Sequence, residues 1–147
     1  MSAVLDIGKQ TLEEAFPETD PGAKPFGTGV LIQLRSPKRF SGGIMLTEES
    51  QEQERWMTTI GKVISLGPLA FKNREDPTKE WPEGAWCKVG DFVRCPKWGG
   101  DRWQIAVGRE KDFRGRDVEI AARFVIFKDR ELNAGITGDP LSFIDYV

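Results

Sequence analysis

The chain offers 21 basic and 23 acidic side chains and two thiols for chemistry, and no histidine at all. It therefore lacks the usual general base of neutral pH and the commonest metal ligand, and no His-based triad can be assembled. Cys87 and Cys95 are too few for a zinc quartet or a secreted disulfide framework. Both read as small buried apolar groups in or beside one strand, with a bridge or a redox pair as the alternative. The carboxylates fall in loops and solvated runs, with no spacing that sets a pair on one face near a nucleophile. Gly42-Gly43 and Gly99-Gly100 lack the strand–turn–helix setting and the following Lys-Ser or Lys-Thr of a phosphate cradle. The expectation is a non-enzyme with no catalytic residue, no metal ligand and no cofactor of its own.

Two groups of residues carry binding chemistry instead. Between Arg94 and Arg116 stand seven cations (Arg94, Lys97, Arg102, Arg109, Lys111, Arg114 and Arg116) against three acids, a net +4, with Trp98, Trp103 and Phe113 interleaved. A barrel that binds single-stranded nucleic acid would use such rings for base stacking and such cations for phosphates. The plainer reading packs Trp103 in the core and leaves the arginines on a solvated face of a chain whose net charge is −2. The second group is the apolar tripeptide Ile44-Met45-Leu46, which follows Gly42-Gly43 and lies between basic Lys38-Arg39 and the acidic run 48–54. Three such residues cannot make a core by themselves. If a partner buried them, Ile44 and Leu46 would each gain about 1.5–3 kcal/mol. Ordering a loop costs about 1–2 kcal/mol per residue, so one copy binds weakly and several copies must act together. The alternative is that the tripeptide folds back on its own domain.

These residues need elements to hold them, and the composition says which kind. At 147 residues the chain is one domain's worth, 39% hydrophobic and 30% charged. Its 16 Gly and 9 Pro punctuate the backbone too often for long helices and favour many short strands. β-Branched runs bounded by Gly and Pro predict strands over 29–35, 60–66, 92–95, 103–107 and 124–127, with single helical turns at 12–16 and 128–132. Residues 36–59 fit no regular element, and a loop of that length in a compact domain is usually functional or disordered. Residues 108–117 read as a basic excursion, and residues 1–24, acidic and ending in the Pro17, Pro21, Pro25 series, as an extended arm. Several short strands with Gly-rich turns imply an all-β barrel or sandwich. The first ten residues lack the basic flank and apolar core of a signal peptide, and no apolar run approaches the roughly 20 residues of a membrane span, so a cytoplasmic location is expected.

In this order along the chain, the residues resemble the GroES family of co-chaperonins. Val30-Leu31-Ile32-Gln33-Leu34 is similar to that family's first strand, and Ser41-Gly42-Gly43-Ile44-Met45-Leu46-Thr47 to its mobile-loop motif. Gly61-Lys62-Val63-Ile64-Ser65-Leu66-Gly67 resembles the Gly-x-Val-x-x-x-Gly strand, and Lys88-Val89-Gly90-Asp91-Phe92-Val93 the Val-Gly-Asp turn and strand. Lys97-Trp98-Gly99-Gly100 is similar to the Lys-Tyr-Gly-Gly turn, and 124–136 to the closing strand and short helix-like end. Each block is weak alone; six in order are specific.

The resemblance implies an irregular GroES-like β-barrel over residues 25–136, with a mobile loop at 36–59 and a roof excursion at 68–86, between the arm 1–24 and a tail 137–147. It implies a heptameric ring that caps a GroEL-type chaperonin and encloses an unfolded substrate protein, with ATP bound by the chaperonin. On this reading Ile44, Met45 and Leu46 contact the chaperonin's apical domains, and Gly42 and Gly43 are the loop's hinge. Phe71, Trp81, Trp86 and Trp98 belong to the dome and roof, with self-packing of the first three as the expectation. No membrane and no nucleic acid take part. The long loop, the insert near 108–123 and the two extensions resemble bacteriophage-encoded members, which implies a capsid protein as substrate and the host cytoplasm as location.

Overall fold

Alternation of apolar side chains builds one sheet with two covered faces. The computed structural model describes residues 11–36, 40–41, 44–45, 59–111 and 115–143, with the backbone alone at 40, 41, 44, 45, 110 and 118. The strands are β1 (Gly29–Leu34), β2 (Phe40–Ser41), β3 (Ile44–Met45), β4 (Ile60–Leu66), β5 (Phe92–Arg94), β6 (Asp101–Lys111), β7 (Asp117–Lys128) and β8 (Ala134–Gly135). Six of them form an open antiparallel sheet in the order β6-β7-β1-β4-β5-β8, and β2 and β3 form a two-stranded sheet of their own. Among the described residues the chain is essentially all-β. The only α-helix is a single turn, α1 (Leu12–Ala15), and 3₁₀ turns lie at Asp129–Glu131 and Pro140–Ser142.

Central β1 is buried along its whole length because its neighbours β4 and β7 carry apolar residues to both faces. Val30, Ile32 and Leu34 point one way, into a core with Val63, Val93, Val125, Phe127, Phe71, Cys87 and Cys95. Leu31 points the other way, with Ala122 and Phe124, under Ile64, Trp103 and Ile105. Period-2 alternation on a two-faced sheet produces this split. The β1–β4 crossing is close enough that any Cβ at Gly61 would collide with Ile32 Cγ2, and one at Gly67 with the carbonyl oxygen of Gly27. That close approach is the physical content of the Gly-x-Val-x-x-x-Gly spacing.

Two expectations change. Residues 108–111 and 117 lie in paired strands rather than in the expected basic excursion, while 112–114 lie outside the described residues. β6 and β7 pair continuously from Asp101↔Ile126 to Lys111↔Asp117, with one irregularity between Ala106 and Gly108. The described part of the N-terminal arm does not stand off the domain. Ala15 and Phe16 are buried with Ile60 beside Phe92. Gln33 Nε2 then donates to Pro17 O at 2.7 Å, and Trp103 Nε1 to Pro21 O at 2.7 Å. Residues 15–22 thus strap the second face of the sheet, and the strap explains why polar Gln33 is 97% covered: its amide has a partner.

Candidate functional site

The sheet sends out two excursions, from opposite ends of the β1–β4 pair. One, between β1 and β4, leaves where Leu34 meets Gly61; the other, between β4 and β5, leaves where Leu66 meets Val30.

The first excursion carries the apolar tripeptide. Its described flanks are tied to the domain by Arg35 N–H donating to Ile60 O at 3.0 Å, and by Ser36 N–H donating to Ala15 O at 2.7 Å. Arg123 also donates from Nη2 to Arg35 O. Beyond the flanks, Phe40 pairs with Met45 and Ser41 with Ile44, which leaves two residues, Gly42 and Gly43, between the strands. Among the described residues, the backbones of Ile44 and Met45 belong to a two-stranded sheet separate from the six-stranded one. Gly42, Gly43 and Leu46 lie outside the described residues, as does most of 36–59.

The second excursion carries the expected roof. Phe71, Trp81 and Trp86 pack on one another, with ring centroids 5.3 Å apart for Phe71–Trp81, 4.8 Å for Trp81–Trp86 and 6.1 Å for Phe71–Trp86. Phe71 is buried in the core, Trp81 lies against it, and Trp86 keeps 41% of its surface exposed. Trp98 stands elsewhere, on the turn before β6, and is 67% exposed. That turn is built by Arg102. Its Nε donates to Gly99 O at 2.8 Å, its Nη2 to Lys97 O at 2.9 Å and Pro96 O at 3.2 Å, and the guanidinium lies 5.7 Å from the Phe127 ring centre. Gly100 holds φ +72°, and a Cβ there would stand 2.6 Å from Val125 Cγ2, so Gly100 is a packing requirement of this turn, whereas Gly99 is required by its φ of +86°.

The same contacts bear on the basic, aromatic stretch. Arg102 points its donors at its own turn, and burial lowers its guanidinium from its ordinary value. Arg94 lies over the Phe143 ring at 5.3 Å. Trp103 stacks on Phe124 at 5.8 Å while its N–H holds the strap. Of the rings expected to stack bases in that reading, Trp98 is exposed and Trp103 faces its own domain, while Phe113 lies outside the described residues. Cys87 and Cys95 are free and buried. Burial, with the charge of Asp91 second, pushes the Cys87 thiol up to about 11, which makes it a poor nucleophile at neutral pH.

Among the described residues no group of three His, Cys, Asp or Glu side chains could hold a metal ion, and no helix is long and apolar enough to cross a membrane. Sequence reasoning missed one buried polar residue, Asp129, whose side chain reaches the second excursion. An acid at the end of an apolar strand looks like ordinary solvated punctuation, and only the fold reveals that it is 1% exposed. No protein-family model matches the chain, and no curated protein matches it.

Proposed function

We propose that the chain is a non-enzymatic cap of the GroES type. Several copies form a ring, each offers Ile44-Met45-Leu46 to an apolar groove on a nucleotide-bound GroEL-type chaperonin, and docking encloses a substrate protein. The single observation that carries this reading is the separate hairpin. Two residues of the tripeptide have their backbones paired with Phe40 and Ser41, apart from the main sheet, across the double glycine. The order of the six sequence blocks, now on an all-β sheet whose glycines mark close crossings, supports the same reading. The chemistry suits a reversible cap. Each copy's contact is small, and ring geometry multiplies weak contacts into a strong one. The chaperonin hydrolyses the ATP, and this chain needs no cofactor. A heptamer, a bacteriophage origin, a capsid protein as substrate and the host cytoplasm belong to the same proposal and follow the family resemblance.

The experiment is co-sedimentation of the full chain with a GroEL-type ring in the presence of nucleotide. Ile44→Asp and Leu46→Asp each abolish capping, by at least a hundredfold in affinity, while the oligomeric mass stays unchanged. Normal co-sedimentation of either variant removes the proposed contact.

A further inference from the structure

The base of the second excursion contains a residue in a conformation that its type disfavours. Phe71 has φ +60°, the only positive φ among the described non-glycine residues, and its side chain is 1% exposed. A bulky residue stays in the left-handed region only where its surroundings hold it there. The holding group is Asp129, the first residue of the 3₁₀ turn after β7 and itself 1% exposed. Its Oδ2 accepts from Phe71 N–H at 2.9 Å, and Oδ1 has no partner among the described residues. Asp129 is in turn fixed at its backbone, where its N–H donates to Thr28 O at 3.0 Å.

From Phe71 onward the excursion is bonded to itself. Trp81 N–H donates to Phe71 O at 3.1 Å, Asn73 N–H to Lys79 O at 2.7 Å, and Gly84 N–H to Trp81 O at 2.8 Å. Lys72 and Glu80 form a bridge. Its return leg borders an open pocket of about 440 Å³ lined by Ala85, Trp86, Leu132, Asn133 and Ala134, with Cys87 and Leu132 packed in the core at its base. Residues 71–86 therefore form a flap with its own internal bonding, anchored by the Phe71 ring and bordered by an open pocket.

We infer that Asp129 is the positioning residue of this flap: its carboxylate holds Phe71 left-handed, which turns the ring into the core and folds 72–86 over it. The inference does not depend on the capping proposal. Loss of the acceptor oxygen lets Phe71 relax to negative φ, withdraws its ring and releases the flap as a body. The sheet stays intact, because none of its ladder hydrogen bonds involves the Asp129 side chain.

The test is hydrogen exchange of the full chain with Asp129→Ala and Asp129→Asn. Removal of one partner of a buried hydrogen bond predicts amides of 71–84 exchanging about 10- to 100-fold faster in Asp129→Ala, with β1, β4 and β7 protected as in wild type. Asp129→Asn keeps an oxygen acceptor for Phe71 N–H and stays within about threefold of wild type. Unchanged exchange of 71–84 in Asp129→Ala overturns the inference. So does equal loss of protection across the sheet, which would make Asp129 a general core residue. Equal loss in both variants also overturns it, since acceptor geometry is then not what holds the flap.

Discussion

The two excursions from the β1–β4 pair are built on opposite principles. The one between β4 and β5 closes on itself with an aromatic trio rooted in buried Phe71, backbone bonds and a buried carboxylate. The one between β1 and β4 carries Ile44 and Met45 in a separate two-stranded sheet. An isolated two-stranded hairpin is marginal in water, whereas a segment with its own apolar cluster can stand as a folded unit. The comparison teaches where apolar residues contribute. Phe71 contributes to stability, and on the proposed function Ile44 is offered to a partner.

The sharpest way to break that contrast is to truncate one residue on each side. Phe71→Ala removes a fully buried ring and lowers unfolding free energy by about 3–5 kcal/mol in a urea titration. Ile44→Ala changes the same titration by less than about 0.5 kcal/mol and weakens chaperonin co-sedimentation. Equal stability losses would put both residues in one core and erase the distinction.

A smaller effect probes the strap that covers the second face. Trp103→Phe keeps the ring on Phe124 but removes the N–H that Pro21 O accepts, and costs about 1 kcal/mol. Faster proteolysis within 17–24, with the urea slope unchanged, is the expected companion. No change in either measurement would mean that the strap is held by Ala15, Phe16 and the Gln33–Pro17 bond without help from Trp103.

An effect absent at neutral pH concerns the return leg of the second excursion. Cys87 has its folded pKa raised from 9.0 to about 11. Below pH 9 both folded and unfolded thiols keep their protons, so stability is unaffected there. Between pH 9 and about 11 the unfolded thiol ionises first, and stability falls as pH rises. Cys87→Ala flattens that alkaline slope in melts taken from pH 8 to pH 11; an identical slope would show that the thiol is not what titrates.

The parts of the fold legible in the sequence are those where burial imposes a pattern. Residues 29–34, 60–66 and 92–94 carry β-branched runs between Gly and Pro, and each is a strand of the main sheet. The far half of the β6–β7 hairpin was not legible. There Arg109, Glu110 and Lys111 face Asp117, Val118 and Glu119 on a ribbon that pairs with no third strand, and charge without periodicity reads as loop. The strap escaped for another reason. Its ties are carbonyl oxygens of Pro17 and Pro21, and every residue type has a carbonyl. Of the candidate site, the tripeptide and its double glycine were visible because three bare apolar residues in a polar stretch have no local explanation. Asp129 was invisible because its role depends on Phe71, 58 positions away.

The most direct test of the central claim is native mass spectrometry of the full chain, alone and with a GroEL-type ring, with and without ATP. The account predicts a closed ring of several copies that joins the chaperonin only when nucleotide is present. A monomer that ignores the chaperonin under every condition would contradict it.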